Sequence, residues 1–527
     1  MLKTDFLSRA WPERMMLAVT YAGVLALAAY TLFCVAPALA ARLAYPGPLE
    51  HQEGLVVDLG LRFVRGYPLY SQPSASGYSL IYSPLYLEFV RIVAGLLGSN
   101  FVALRAVSMF LLLGSAAFAL LTLRAMRSPA ASYWLWPIGF LVGFGFVGWI
   151  DLIRIDALLL CGTMALCWRL AGARGVADWI VAGVVLALLI GVKFTAGAIA
   201  AALLALALFE RRMLVLVGTA ILGAVLIYGV SYALYGQAML DWVFRSPATH
   251  PLERGNAYAI VLWLVIATPL WLGAIAAVQR LDIRLTEAGA SLAGSCSTPV
   301  LRLYALSAGV FAMCALSALK QGGGLASFAV LSGPLALFFA HAVGRAAARN
   351  APGREVPTPE QRVLVIAALA AGLVIAALGA HGLRSLAPRP SDGPQLAAFL
   401  NRVRAEPGQV WIVSHPWVVD EGQRQPTTAI QQIGAEWRDP RLPADLRAIL
   451  ASKGYSAIYT GDDFLTASFR REFREALCES YAVRQTLAPD QTLPSFGAAM
   501  FAPDRIWRPR TAPPSGAELI ACVGPSA

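Results

Sequence analysis

Apolar residues in this chain recur in long unbroken runs, without the half-buried alternation of a soluble protein. Runs near 16–41, 101–123, 132–150, 155–172, 178–192, 194–209, 213–235, 258–279, 300–318, 324–344 and 362–384 stand out. Each approaches the roughly 20 residues that carry a helix across a bilayer. They predict about eleven transmembrane helices, with the division of the short pair meeting at Lys193 left open. The first run is too long for the apolar region of a signal peptide, so it is expected to stay as an anchor.

Basic residues set the orientation. Lys3, Arg9 and Arg14 precede the first run. Arg124 and Arg127, Arg169 and Arg174, Arg211 and Arg212, Arg280 and Arg284, then Arg345, Arg349, Arg354 and Arg362 fall at every second connection. This alternation predicts a cytoplasmic N-terminus in the inner membrane and delivers everything after about Leu386 to the outer side. Two segments outside the bilayer are large: a first outer loop over 42–100, and a C-terminal segment over 387–527. The second is polar and rich in Pro and Arg. Helical spacing at 394–405 and 443–453 alternates with apolar stretches at Gln409–Ser414 and Ser456–Thr460, which predicts a small α/β domain with a parallel sheet.

Composition agrees with the pattern. Of 527 residues, 58% are apolar and only 14% charged, with a mean hydropathy of +0.62. Soluble chains carry roughly 25% charged residues, so a soluble enzyme, a disordered chain and a cytosolic scaffold are excluded. The formal charge of +11 could suggest nucleic acid, but the basic residues are dispersed and follow the topology, so no nucleic-acid partner is expected. Of seven cysteines, Cys34, Cys161, Cys167 and Cys314 read as small core residues, and Cys296 falls in an inner loop. Cys478 and Cys522 are the only pair in the outer segment; they are either joined in an oxidising compartment or two independent thiols.

Charges beside apolar runs are costly and mark function. Here Asp151, Arg154 and Asp156, then Lys193, then Lys320 all fall at outer junctions. The first loop adds Glu50, His51, Glu53 and Asp58, and four of five histidines, His51, His250, His381 and His415, lie at or beyond the same face. Together they predict one polar, anion-binding chamber at the outer leaflet. A carboxylate just past the first span can act as general base toward a hydroxyl. The alternative for Glu53 is a helix cap or an ion pair with Arg62 or Arg65. For Arg154, Lys193 and Lys320 the alternative is a snorkelling anchor, and for Asp156 a buried ion pair. Asp462-Asp463 reads as a turn, His415-Pro416-Trp417 as a loop after the first strand, and no metal-ligand spacing is visible, which leaves metal dependence open.

The order of these features resembles the GT-C superfamily of integral-membrane glycosyltransferases, in the bacterial branch similar to dolichyl-phosphate-mannose-protein mannosyltransferases. The resemblance rests on Glu53-Gly54, on Gly66-Tyr67-Pro68-Leu69-Tyr70 and Tyr82-Ser83-Pro84-Leu85-Tyr86, and on Arg154-Ile155-Asp156-Ala157-Leu158. Gly191-Val192-Lys193-Phe194-Thr195 and Lys320-Gln321-Gly322 complete it. It covers about Met16 to Ala340 in order. It departs where the family shows paired acids, since Gln52 precedes Glu53, and where Gly323-Gly324-Leu325-Ala326 replaces Asn-Tyr. What it implies is transfer of a sugar from a polyprenyl-phosphate carrier to a lipid, glycan or protein acceptor at the outer face. Glu53 would be the catalytic base, with Glu50, Asp58 and Asp156 as alternative or assisting acids. Arg154, Lys193 and Lys320 would hold the donor phosphate, and Tyr70, Tyr82 and Tyr86 would shape the loop. The competing class is a lipid or glycan transporter or flippase, which would line a route through the bilayer and repeat between halves; no repeat is visible.

Overall fold

The computed structural model describes residues 22, 26, 29–144, 151–268, 270–272, 299–320, 325–347, 359–421, 424–430, 432–433, 437, 441–461, 471–494, 496 and 502–523. Lys3, Arg9, Arg14, Arg280, Arg284, Arg349, Arg354, Cys296, Gly322 to Gly324 and Asp462-Asp463 lie outside the described residues.

Among the described residues, the apolar runs fall in helices. In chain order these are α1 (Ala29–Ala44), then α2 (His51–Val64) and α3 (Pro84–Leu97) in the first loop, and α4 (Phe101–Ala125), α5 (Ala130–Phe144), α6 (Ile155–Gly172) and α7 (Val176–Val192). They continue as α8 (Gly197–Leu206), α9 (Met213–Leu240), the single turn α10 (Ser246–Thr249), α11 (Arg254–Ile266), α12 (Pro299–Ala318), α13 (Ala329–Ala347) and α14 (Pro359–Ser385). Among the described residues five helices are long and apolar enough to cross a membrane: Phe101–Ala125, Ile155–Gly172, Met213–Thr249, Pro299–Ala318 and Ala326–Gly344. The open division at Lys193 resolves into α7 and a 3-10 turn, Phe194–Ala196, leading into the shorter α8.

Helices in lipid gain little from burying apolar surface against each other, so close backbone approach decides which pairs form. α4 packs on α6, α7 on α9, α8 on α12 and α5 on α13. At Gly183 a Cβ would come within 2.5 Å of the Leu216 carbonyl, and at Gly309 within 2.5 Å of the Ile199 Cα. Only glycine permits those two crossings.

The C-terminal segment holds α15 (Asp392–Ala405), β1 (Val410–Ile412), α16 (Trp417–Glu421), α17 (Ala444–Ala451), β2 (Ala457–Thr460), α18 (Arg471–Ser480), β3 (Tyr481–Thr486), β4 (Arg505–Pro509) and α19 (Gly516–Val523). The sheet order is β1-β2-β4-β3. Only β1 and β2 are parallel; β4 runs antiparallel to both of its neighbours. The expected parallel sheet is therefore mixed. The helical crossover through α17 makes β1 and β2 parallel, whereas β4 lies between β2 and β3 and runs antiparallel to each. Side chains alternate between two covered faces. Val410, Ile412, Ala457 and Tyr459 join Phe399 of α15 in one core, while Trp411, Val413 and Ile458 join Leu446 and Leu450 of α17 and Phe473 of α18 in another. Burial on both faces is why Val410 to Val413 reads as a continuous apolar run.

Cys478 on α18 and Cys522 on α19 are joined in a disulfide, Cα to Cα 6.0 Å. It ties α19, which buries little besides Val523, to the rest of the segment. Replacing both cysteines with serine should lower unfolding stability by about 2–4 kcal/mol and expose the tail to protease first. An unchanged digestion pattern would mean that α19 is held by packing alone.

Candidate active site

The first loop is built around α2. Glu50 caps it, its side chain accepting from the Glu53 amide at 3.3 Å. Glu53 is 0% exposed, and both of its oxygens are taken. Arg105 on α4 donates through Nε to Oε1 at 2.7 Å and through Nη2 to Oε2 at 2.6 Å, and the Leu49 amide donates to Oε2 at 2.9 Å. Arg105 also donates to the carbonyls of Arg42, Tyr45 and Gly47 at 2.8, 2.6 and 2.5 Å. Glu53 is thus both inside a helix start and ion-paired, with Arg105 and with neither Arg62 nor Arg65.

Asp58 is equally enclosed. Arg62 Nε and the Tyr78 hydroxyl donate to its Oδ2 at 2.7 and 2.6 Å, and Arg62 reaches on to the carbonyls of Ser76 and Thr427. Asp151 receives the Arg42 guanidinium at 2.7 and 2.9 Å, and Arg42 also bonds the Leu386 carbonyl at 3.3 Å. Three of the singled-out acids are therefore struts that fasten the first loop to the bundle and to the C-terminal segment.

The C-terminal segment docks on the same helix. Trp417 of α16 lies so close to α2 that a Cβ on Gly54 would stand 3.0 Å from its ring, and its indole meets Phe101 edge to face at 5.0 Å. The rings of His51 and His415 also meet edge to face, 5.8 Å apart. Burial, with His415 beside it, pushes His51 well below the usual histidine range, so the His51 ring can be buried without charge. His415-Pro416-Trp417 is a docking element. His381, near the end of α14, is exposed.

Beside this anchorage lies a cavity of about 170 Å³ with a mixed lining, apolar at Leu80, Ile155, Phe194 and Leu316. Arg154, Asp156, Lys193 and Lys320 all line it, together with Gln52, Tyr82, Thr195, His250 and Gln432. Arg154 caps α6 at its N-terminus and Asp156 stands in the first turn. The Arg154 Nε lies 3.3 Å from Asp156 Oδ2, and its Nη1 lies 3.5 Å from Glu50 Oε2. Burial pushes the Glu50 carboxyl above the usual glutamate range, against the pull of Arg154. Lys193 ends α7; its ammonium makes no ion pair or side-chain hydrogen bond among the described residues. Lys320 Nζ donates to the Pro247 carbonyl at 2.6 Å, and the chain around it pairs with Leu252 and Asn256.

The loop tyrosines hold this wall. Tyr70 donates to the Tyr82 carbonyl at 2.7 Å, Tyr82 meets Tyr86 edge to face at 5.0 Å, and the Tyr86 hydroxyl lies 3.5 Å from the Ile153 carbonyl. Ser83 accepts from the Phe194 amide and the Tyr228 hydroxyl at 3.0 and 2.9 Å, which fixes the first loop against the break at Lys193. The structure thus brings Arg154, Lys193, Lys320 and Asp156 to one cavity, sets Glu50 behind Arg154, and keeps Glu53 and Asp58 out of it. Sequence reasoning passed over Arg105 and Gln432. Arg105 carried a signal, a charge one turn inside an apolar run; Gln432 carried none. Among the described residues no three His, Cys, Asp or Glu side chains converge as a metal site.

No family model matches the chain, and no curated protein matches it. Solved structures do. ArnT from Cupriavidus metallidurans bound to undecaprenyl phosphate superposes with a TM-score of 0.57 at 12% identity, covering 92% of this chain and 98% of that one. Its apo state gives 0.56 at 13% identity over 96% and 100%. The apo oligosaccharyltransferase of Archaeoglobus fulgidus gives 0.50 at 12% identity over 87% and 71%. The chain therefore has the fold of the GT-C membrane glycosyltransferases.

Proposed function

We propose that this protein transfers a sugar from a polyprenyl-phosphate carrier to an acceptor at the outer face of the inner membrane. In this reading it spans the bilayer about eleven times with a cytoplasmic N-terminus, and residues 387–527 form a periplasmic α/β domain. The observation that carries it is the convergence of Arg154, Lys193 and Lys320 on one cavity in which the Lys193 ammonium has no carboxylate of its own. Three cations against Asp156, the single lining carboxylate among the described residues, suit an anion, and Arg offers a fork where Lys offers a point charge. That the similarly folded ArnT binds undecaprenyl phosphate supports a lipid phosphate as that anion.

The chemistry is a direct displacement at the anomeric carbon. The cations stabilise the phosphate as it leaves, and the carboxylate facing the cavity, Asp156, takes the acceptor proton. Glu50 orients Arg154 from behind, and the Glu53–Arg105 pair holds the loop that carries them. Gln52 stands in the cavity where the resembling family has the first of two acids, which leaves Asp156 as the acid in reach.

The test is binding and transfer by the full-length protein in liposomes. Wild type should bind undecaprenyl phosphate, and Lys193→Ala should weaken that binding about 10- to 100-fold, the range of a lost charge-assisted hydrogen bond. Labelled sugar should pass from carrier to acceptor. Carrier crossing the bilayer without new glycosidic product would select the flippase, and failure of wild type to bind the lipid phosphate would sink the reading.

A further inference from the structure

The C-terminal segment holds a second cavity, an open cleft of about 650 Å³ between the β3–β4 pair and α19. Arg484 on β3, Arg505 on β4 and Arg510 just beyond it line the cleft, with Thr511 and with Glu518 and Cys522 of α19. Among the described lining residues, three guanidiniums meet one carboxylate, and that carboxylate already caps α19, accepting from the Ser515 amide at 2.8 Å. Arg510 spends its Nε on the carbonyls of Cys478 and Tyr481 at 3.0 and 2.9 Å; its terminal nitrogens stay open. Arg505 Nε stands 3.9 Å from Asp504, which is outside the lining. Arg484 makes no hydrogen bond or ion pair among the described residues.

The backbone is irregular where Arg484 sits. Val483 pairs with Trp507 and Gln485 with Ile506, so Arg484 is the extra residue of a bulge, a device that re-aims a side chain. Here the re-aimed side chain lines the cleft. A bulge with a charged side chain also keeps an outer strand such as β3 from accepting another strand, which disfavours an added peptide. Trp507, beside Arg505 in the lining, belongs to the core under α17 and α18. The opposite face of the sheet shares its core with α15 and the bundle. The cleft therefore lies on the sheet face away from the bundle, and its ligand comes from water.

We propose that this cleft binds a phosphate group carried by a small molecule. Guanidinium forks match phosphate oxygens two at a time, and a cleft lined by one sign of charge concentrates its counter-ion. Three cations against one anion leave a surplus of two, which a phosphate monoester at about −2 balances and a single carboxylate does not. The volume lies within the roughly 300–1,000 Å³ that takes a small molecule. The site is separate from the cavity beside Arg154 and does not depend on the function proposed for it.

The test uses the full-length protein in uncharged detergent at about pH 8, where a phosphate monoester is dianionic, with saturating undecaprenyl phosphate to occupy the other cavity. It is titrated with inorganic phosphate, glucose phosphorylated on its primary hydroxyl, glucuronate and glucose. Both phosphates should bind, glucuronate about tenfold more weakly or worse, and glucose not at all. Tighter binding of the sugar phosphate marks an organic ester as the source, and equal binding marks the free anion; either supports the site. Arg484→Ser and Arg505→Ser, on different strands, should each weaken phosphate about tenfold or more, the range of a lost charge-assisted hydrogen bond. Arg471→Ser, an exposed arginine of α18 outside the lining, should stay within about twofold of wild type. Wild type that binds neither phosphate, glucuronate bound as tightly as phosphate, undiminished binding by both cleft variants, or an equal loss in Arg471→Ser would overturn the proposal.

Discussion

Glu53→Gln should cost the fold about 3–5 kcal/mol, because it leaves the Arg105 guanidinium buried without its countercharge. Both partners are enclosed, at 0% and 1% side-chain exposure, so water cannot take the place of the carboxylate. Arg105→Met should cost at least as much, since it also abandons the carbonyls of Arg42, Tyr45 and Gly47. Combining the two should recover much of the loss, because removing both charges relieves the uncompensated one. The strongly non-additive cycle that results would be read from unfolding midpoints and from the yield of solubilised protein. A Glu53→Gln protein that unfolds like wild type yet fails to turn over would overturn the reading of this pair as a strut and return the carboxylate to catalysis.

That pair also shows how far the sequence could be read. The bundle was legible because a bilayer asks for long apolar runs, and among the described residues those runs fall in helices, five of them long and apolar enough to cross a membrane. Strands β1 and β2 were legible because burial on both faces leaves a continuous apolar run. Strand β3 was not, since four of its residues, Val483 to Thr486, are exposed, and β4 is a short stretch bracketed by Arg505 and Arg508. The sheet came out mixed because helix–strand alternation reports only the helical crossover. At the site, charge placed at span junctions marked Arg154, Asp156, Lys193 and Lys320, which do share a cavity. What charge could not distinguish is a carboxylate facing that cavity from one spent on a guanidinium elsewhere in the chain. Glu53 and Asp156 look alike in sequence; Arg105, 52 positions away, separates them.

The difference gives Asp156 a signature that a structural acid would lack. If it removes the acceptor proton, Asp156→Asn should lower kcat about 10²- to 10⁴-fold, the usual contribution of a positioned general base. Asparagine keeps the size of the side chain, so the first turn of α6 should stand. Donor affinity should hold or improve, since Arg154 loses one of the carboxylates that compete with a phosphate for its guanidinium. Falling turnover with donor binding steady or stronger is therefore expected, measured as single-turnover rate against titrated lipid affinity. Parallel losses in both would mean that Asp156 only orients Arg154, and the proton would then have to leave through another group facing the cavity.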